Sequence, residues 1–110
     1  MHTYCLNSAF VFFQLGPFFV VQQLHQAGLI GGSRGSLVVN ISSVMASHSD
    51  TTVAAGGGYA YRASKAALNM INKSMASDLA SDGIKSVVIH PGYVSTDMTG
   101  KSNIVDIVLY

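Results

Sequence analysis

Two short runs, "SLVVNIS" and "IKSVVIHPG", frame a stretch whose apolar residues recur at helical spacing, and this order constrains the fold more than any other feature of the chain. Both runs are rich in β-branched residues and nearly continuous in their apolar positions, the pattern of strands covered on both faces of a parallel sheet. Pro91 closes the second run because it cannot donate to a sheet ladder. Between them Ser64, Leu68, Ile71, Met75 and Leu79 fall at spacings of 4, 3, 4 and 4, one face of a helix that ends at "SDG" with Gly83 as a left-handed cap. The pattern predicts strands over 36–42 and 84–90 and a helix over 59–81. Strand, helix, strand is a βαβ unit, with a right-handed crossover as the expected hand.

Upstream, Phe10, Phe13, Val21 and Leu24 recur with near-helical spacing across 7–26, with Gly28 as the stop and Pro17 as a point of kinking. The expected architecture is therefore α/β: a helix, then a parallel βαβ unit, forming a single partial domain over 1–110 with the tail 101–110 unassigned. Of the 110 residues 49% are hydrophobic and 10% charged, although a chain of this length buries only a modest share of its surface. A composition that expects so much covering protein in so short a chain reads as a fragment.

Composition also excludes whole classes of function. The six Lys and Arg residues are scattered and the formal net charge is +1, so no basic face is available to a row of phosphates and nucleic acid is not an expected partner. The run "AFVFFQLGPFFVV" is shorter than the roughly 20 residues of a membrane span, is interrupted by Gln14 and Gly16-Pro17, and lacks a basic flank or a small-residue cleavage site. It is expected neither to cross a membrane nor to direct secretion. Cys5 is the only cysteine, which excludes an intramolecular disulfide and a cysteine zinc cluster and is compatible with a reducing, cytoplasmic setting. His2, His25, His48 and His90 have no metal-ligand spacing, and no metal site is expected. His90 reads as a strand-end residue, Asp97 as a cap for the segment after it ahead of a contact to substrate, and Met70 and Met75 as core filler.

In open parallel sheets ligands bind beyond the carboxyl ends of the strands. "SSVMAS" and "PGYVSTDM" both lie at such ends, so hydroxyls and a Pro-Gly turn occupy the loops most suited to chemistry. Tyr61 and Lys65 lie at i and i+4, which stacks them on one helix face and brings an ammonium near a phenol. A free phenol titrates near about 10, and a neighbouring positive charge favours its ionised form, the arrangement a proton-exchanging tyrosine needs. With 5 tyrosines in the chain, that spacing taken alone is weak evidence. Ser43 lies just past the first strand, where its hydroxyl could meet a carbonyl oxygen that develops negative charge. Local sequence equally reads Ser42 and Ser43 as hydroxyls capping the loop.

Taken together, "VVNISSVMAS", "YAYRASKAALN" and "IHPGYVSTDM", in this order and at these separations, resemble the second half of a short-chain dehydrogenase/reductase, over roughly residues 14–100. The Y-R-x-S-K-x-A-L-N form is similar to the carbonyl-reductase-like branch of that family. The resemblance implies a partial Rossmann-like fold and an NAD(P)-dependent oxidoreductase that interconverts a small carbonyl and an alcohol, with NADP favoured over NAD. It implies Tyr61 as the general acid/base. Lys65 would lower the tyrosine pKa and bond the nicotinamide ribose, and Ser43 would orient the substrate carbonyl. Pro91 and Gly92 match the turn beside the nicotinamide, and Val94 and Thr96 the contacts to its carboxamide or the adjoining phosphates. In that family the two helices often form a dimer interface, so a homodimer through them is the implied assembly.

Two departures qualify the resemblance. The family's Gly-rich turn after the first strand has no counterpart, because "GLIGGSRG" sits between a helix and a strand without the needed order. The expectation is that the N-terminal dinucleotide-binding half is missing. The family's catalytic asparagine lies three residues ahead of the small residue matching Gly16, and that position is Phe13 here, with Asn7 too far upstream to substitute. An alternative of another class follows: a catalytically inactive truncated fragment that acts as a protein-interaction module through exposed apolar helix faces.

Overall fold

A computed structural model describes residues 8, 11–47, 58–92 and 108–109. A π-helical turn, Val11–Leu15, runs into helix α1, Gly16–Gln26. Strand β1, Ser36–Ile41, is followed by a 3-10 turn, Val44–Ala46, then helix α2, Tyr59–Asp78, a second 3-10 turn, Ala80–Asp82, and strand β2, Ile84–His90. β1 and β2 pair in parallel, with Ser36 opposite Ile84 and Ile41 opposite Ile89. Two parallel strands joined through a helix make the α/β architecture that the spacing of the apolar runs calls for.

The first helix departs from a simple α-helix in a way that explains its proline. Pro17 occupies the first turn of α1, where a missing N–H removes no hydrogen bond, and the wider π turn before it absorbs the change of register. Pro17 therefore starts a helix where the sequence pattern expects a kink. α1 ends at Gln26, the Ala27 N–H closing on Gln23 and the Gly28 N–H on His25.

Register between the strands is fixed at their amino ends. Gly32 N–H bonds the Asp82 carbonyl at 2.8 Å and Ser36 N–H bonds the Gly83 carbonyl at 2.9 Å. Gly83 has φ 74, and a Cβ there would stand 2.8 Å from the Gly32 carbonyl oxygen, so both the backbone conformation and the close approach require glycine. This strap aligns the start of β1 with the start of β2.

Among the described residues Val21, Ala46, Leu68, Met75 and Ile84 are the buried hydrophobic ones, contributed by both helices, the first 3-10 turn and β2. The buried side of α2 consists of Ser64, Lys65, Leu68, Asn72 and Met75. It is rotated from the stripe that apolar spacing picks out, with Lys65 and Asn72 taking the place of Ile71 and Leu79. Met75 is core, whereas Met70 is 68% exposed. β1 also differs from the expectation of a strand covered on both faces: Leu37, Val39 and Ile41 are 63%, 46% and 52% exposed on the face away from the buried Asn40. Strands expose alternate residues on opposite faces, and among the described residues only one face of β1 is covered. In the tail, Val108–Leu109 adds a short antiparallel strand, β3, on the far edge of β2.

Candidate active site

Tyr61 and Lys65 lie one turn apart on α2, which sets both side chains on the same face. Lys65 is 7% exposed, and its ammonium donates to the carbonyl oxygen of Ile41, the last residue of β1, at 2.7 Å. The rings of Phe13 and Tyr61 accompany it: the nitrogen lies 4.8 Å from the Phe13 centroid and 5.8 Å from the Tyr61 centroid. The two rings meet edge to face, 5.6 Å between centroids at 83°. Burial takes the ammonium out of water and pushes Lys65 below the ordinary lysine value of 10.5. The site thus contains a buried cation held by one carbonyl and bordered by two aromatic rings.

Ser43 is on the neighbouring turn. It has extended backbone and caps the 3-10 turn, its Oγ accepting from the Met45 N–H at 3.2 Å. The capping reading of this serine is thus realised, yet accepting that bond leaves the hydroxyl hydrogen able to donate elsewhere. The turn packs against α2, and the Met45 methyl lies 3.5 Å from where a Cβ on Gly58 would stand. Ser43 is therefore seated beside the first turn of the helix that carries Tyr61. A hollow of about 170 Å³ is lined by Ser42, Ser43, Val44, Ser47, Asn69 and Val88, and neither Tyr61 nor Lys65 lines it.

Pro91 and Gly92 directly follow β2, and Gly92 has a left-handed backbone, φ 80. They share the carboxyl edge of the sheet with Ser43, one strand across. Val94, Thr96 and Asp97 lie outside the described residues. A larger hollow, about 630 Å³, is lined by His25, Gly31, Asp82 and neighbours at the opposite edge of the sheet. It contains none of these side chains. Among the described residues no group of three or more His, Cys, Asp or Glu could hold a metal ion, and no helix is long and apolar enough to cross a membrane.

Sequence pattern alone misses a set of polar residues that hold this arrangement together. Asn72 Oδ1 accepts from Asn40 Nδ2 at 2.9 Å and from Ser86 Oγ at 2.5 Å, joining α2 to both strands, and all three residues are buried. One turn nearer Lys65, Ser42 Oγ donates to Asn69 Oδ1 at 2.5 Å. The signal was present as a stripe: Tyr61, Lys65, Leu68, Asn72 and Met75 fall at spacings of 4, 3, 4 and 3. A search confined to apolar residues passes over it.

The sequence model of the short chain dehydrogenase family matches residues 7–105. The chain belongs to the short-chain dehydrogenase family. It is 46% identical to the C-signal protein of Myxococcus xanthus over 88 residues, which cover 78% of this chain and 49% of that protein. Among solved structures it overlays the NADPH-bound carbonyl reductase from chicken fatty liver with a TM-score of 0.81 at 28% identity, over 94% of this chain and 44% of that one. The carbonyl reductase Sniffer of D. melanogaster gives a TM-score of 0.74 at 32% identity, over 91% and 43%. The chain thus spans about half the length, or less, of the relatives it matches. Its strands and helices correspond to part of the family's Rossmann fold.

Proposed function

We propose that these residues form the proton-transfer side of an NAD(P)-dependent oxidoreductase that interconverts a carbonyl and an alcohol. The observation that carries this reading is the buried Lys65 ammonium, held on the Ile41 carbonyl beside the Tyr61 ring. In the reducing direction Ser43 donates its hydroxyl hydrogen to the substrate carbonyl oxygen, and Tyr61 delivers its phenolic proton as negative charge develops there. The Lys65 charge stabilises the phenolate that remains. In the oxidising direction the Tyr61 phenolate takes the hydroxyl proton of the alcohol while Ser43 holds its oxygen. The hydride is exchanged with a nicotinamide when that cofactor is bound.

The residues fit the nicotinamide side of such a cofactor: a hydroxyl, a phenol and a lysine beside the carboxyl ends of two parallel strands, with Pro91 and a left-handed Gly92 after the second. Tyr61, Lys65, Pro91, Gly92, Val94 and Thr96 are the residues assigned to hold it. NADP is favoured over NAD, supported by the NADPH-bound chicken carbonyl reductase. The glycine-rich turn that would hold the pyrophosphate is not among the 110 residues. Exposed Phe19 and Val20 on α1 support a homodimer through the helices, and the single Cys5 supports a cytoplasmic setting.

A second reading has its own observation in the bare row Leu37, Val39 and Ile41 on a strand that, among the described residues, is paired on one side only. Such a face suits a protein-interaction module without catalysis. Joining the chain behind the dinucleotide-binding half of a carbonyl reductase and following NADPH consumption with an aldehyde or ketone distinguishes the two. The catalytic reading expects turnover that falls about 10²-fold in Ser43→Ala, the scale for losing one donor to a developing oxyanion. A folded, NADPH-binding fusion with no turnover would favour the interaction module.

A further inference from the structure

We propose that Phe13 is a positioning residue for the Tyr61 and Lys65 pair: its ring holds the lysine ammonium by a cation–π contact and braces the tyrosine ring edge-on, closing the side of Lys65 that faces the π-helical turn. The inference rests on the catalytic reading of that pair and concerns how the pair is held.

The geometry is specific. The Lys65 nitrogen is nearer the Phe13 centroid, at 4.8 Å, than the Tyr61 centroid, at 5.8 Å, and both are inside the roughly 6 Å over which a ring quadrupole attracts a cation. The edge-to-face contact of Phe13 with Tyr61, 5.6 Å and 83°, is the favoured arrangement of two rings. One side chain therefore touches both members of the pair. Its backbone is placed by the π turn Val11–Leu15, a local change of helix register that recurs at functional sites. A phenylalanine offers the ammonium attraction without an acceptor or donor, so protons cannot pass through it. Gln14, next in the chain, is buried with its Oε1 unpartnered, so the amide beside Phe13 is not spent on the lysine.

Among the described residues, other charged groups do not explain how the ammonium is held. On α2, Tyr61 and Arg62 lie within a turn of Lys65, and Arg62 has the same charge sign. β1, the π turn and the Val44–Ala46 turn contain no titratable side chain, and β2 has only Lys85 and His90, one residue from its start and at its end. Burial disfavours the charged lysine, and the Phe13 ring acts against that penalty.

The test is the titration of Lys65, read by NMR from its ε-carbon in protein labelled at lysine, which needs neither cofactor nor turnover. Phe13→Leu keeps an apolar side chain without the quadrupole, and the Lys65 midpoint should fall by about half to one pH unit. Phe13→Tyr keeps the ring face and should restore it. A merely structural role would lower the unfolding midpoint and leave the Lys65 titration where it is, and that outcome would overturn the proposal. Should Phe13→Leu fail to fold, the unsubstituted protein still decides: nuclear Overhauser contacts between the Lys65 ε-protons and the Phe13 ring are expected, and their absence overturns the proposal. Because neither readout involves turnover, failure of this contact and failure of the catalytic reading are separate results.

Discussion

Asn72→Ala is the substitution through which the scaffold behind the site can be weighed. Asn72 Oδ1 is the acceptor for Asn40 Nδ2 and for Ser86 Oγ, and both donor residues are buried. Removing the acceptor leaves two buried donors without partners. Each costs about 1–3 kcal/mol as an unsatisfied group, so the loss expected is about 3–4 kcal/mol. Natural domains have about 5–15 kcal/mol in total, and this change removes a large fraction of it. Urea unfolding followed by far-UV circular dichroism reads the effect. With a slope of about 1–3 kcal/mol per molar, the midpoint should fall by about 1–4 M. Replacing all three groups by apolar ones, Asn40→Val, Asn72→Leu and Ser86→Ala together, removes the orphaned donors along with the acceptor and should recover much of the loss. An Asn72→Ala midpoint within about 0.5 kcal/mol of the unsubstituted protein would refute the account. So would a triple variant less stable than Asn72→Ala alone.

Two further outcomes follow from the geometry. Gly83→Ala should destabilise by about 2–3 kcal/mol in the same assay, because a left-handed backbone costs a side-chain-bearing residue about 1–2 kcal/mol and its Cβ would also press on the Gly32 carbonyl oxygen at 2.8 Å; an unchanged midpoint contradicts the strap at the start of the strands. Burial sets Lys65 below 10.5 in the folded chain, so between its folded value and 10.5 the unfolded chain binds more protons and stability rises with pH, while the full penalty applies below that window. Urea midpoints measured up to 10.5 should therefore climb less in Lys65→Met than in the unsubstituted protein, and parallel curves would count against the burial.

The parts of the fold that the sequence displays are those that depend on local order. "SLVVNIS", the helical stripe and "IKSVVIHPG" each have their own periodicity, and a parallel βαβ unit follows from their succession. What periodicity leaves out depends on partners distant in the chain. Asn72 and Lys65 look like polar residues bordering an apolar face, and it is Asn40, Ser86 and the Ile41 carbonyl that draw them into it. The bare face of β1 is invisible for the opposite reason: Leu37, Val39 and Ile41 are as apolar as buried strand residues, and whether a sheet face is covered is decided by what packs on it. Pro17 sits in a long helical pattern, and only the π turn before it makes it the start of α1. In the site, the i, i+4 spacing sets Tyr61 and Lys65 on one face, while Phe13 stands in the pattern as an apolar position of the first helix and as the departure from the family's asparagine. Its contact with both residues is a property of the packed structure.

The central claim is that Tyr61 moves the proton, and the most direct measurement is the single-turnover rate of carbonyl reduction by the NADPH-bound fusion described above, with Tyr61 and with Tyr61→Phe. The substitution removes one hydroxyl and keeps the ring that packs on Phe13 and Lys65. The account predicts unchanged NADPH binding to within a small factor and a rate lower by about 10²–10⁴-fold, the usual share of a general acid. A Tyr61→Phe protein that binds NADPH and reduces the carbonyl at the original rate would contradict it.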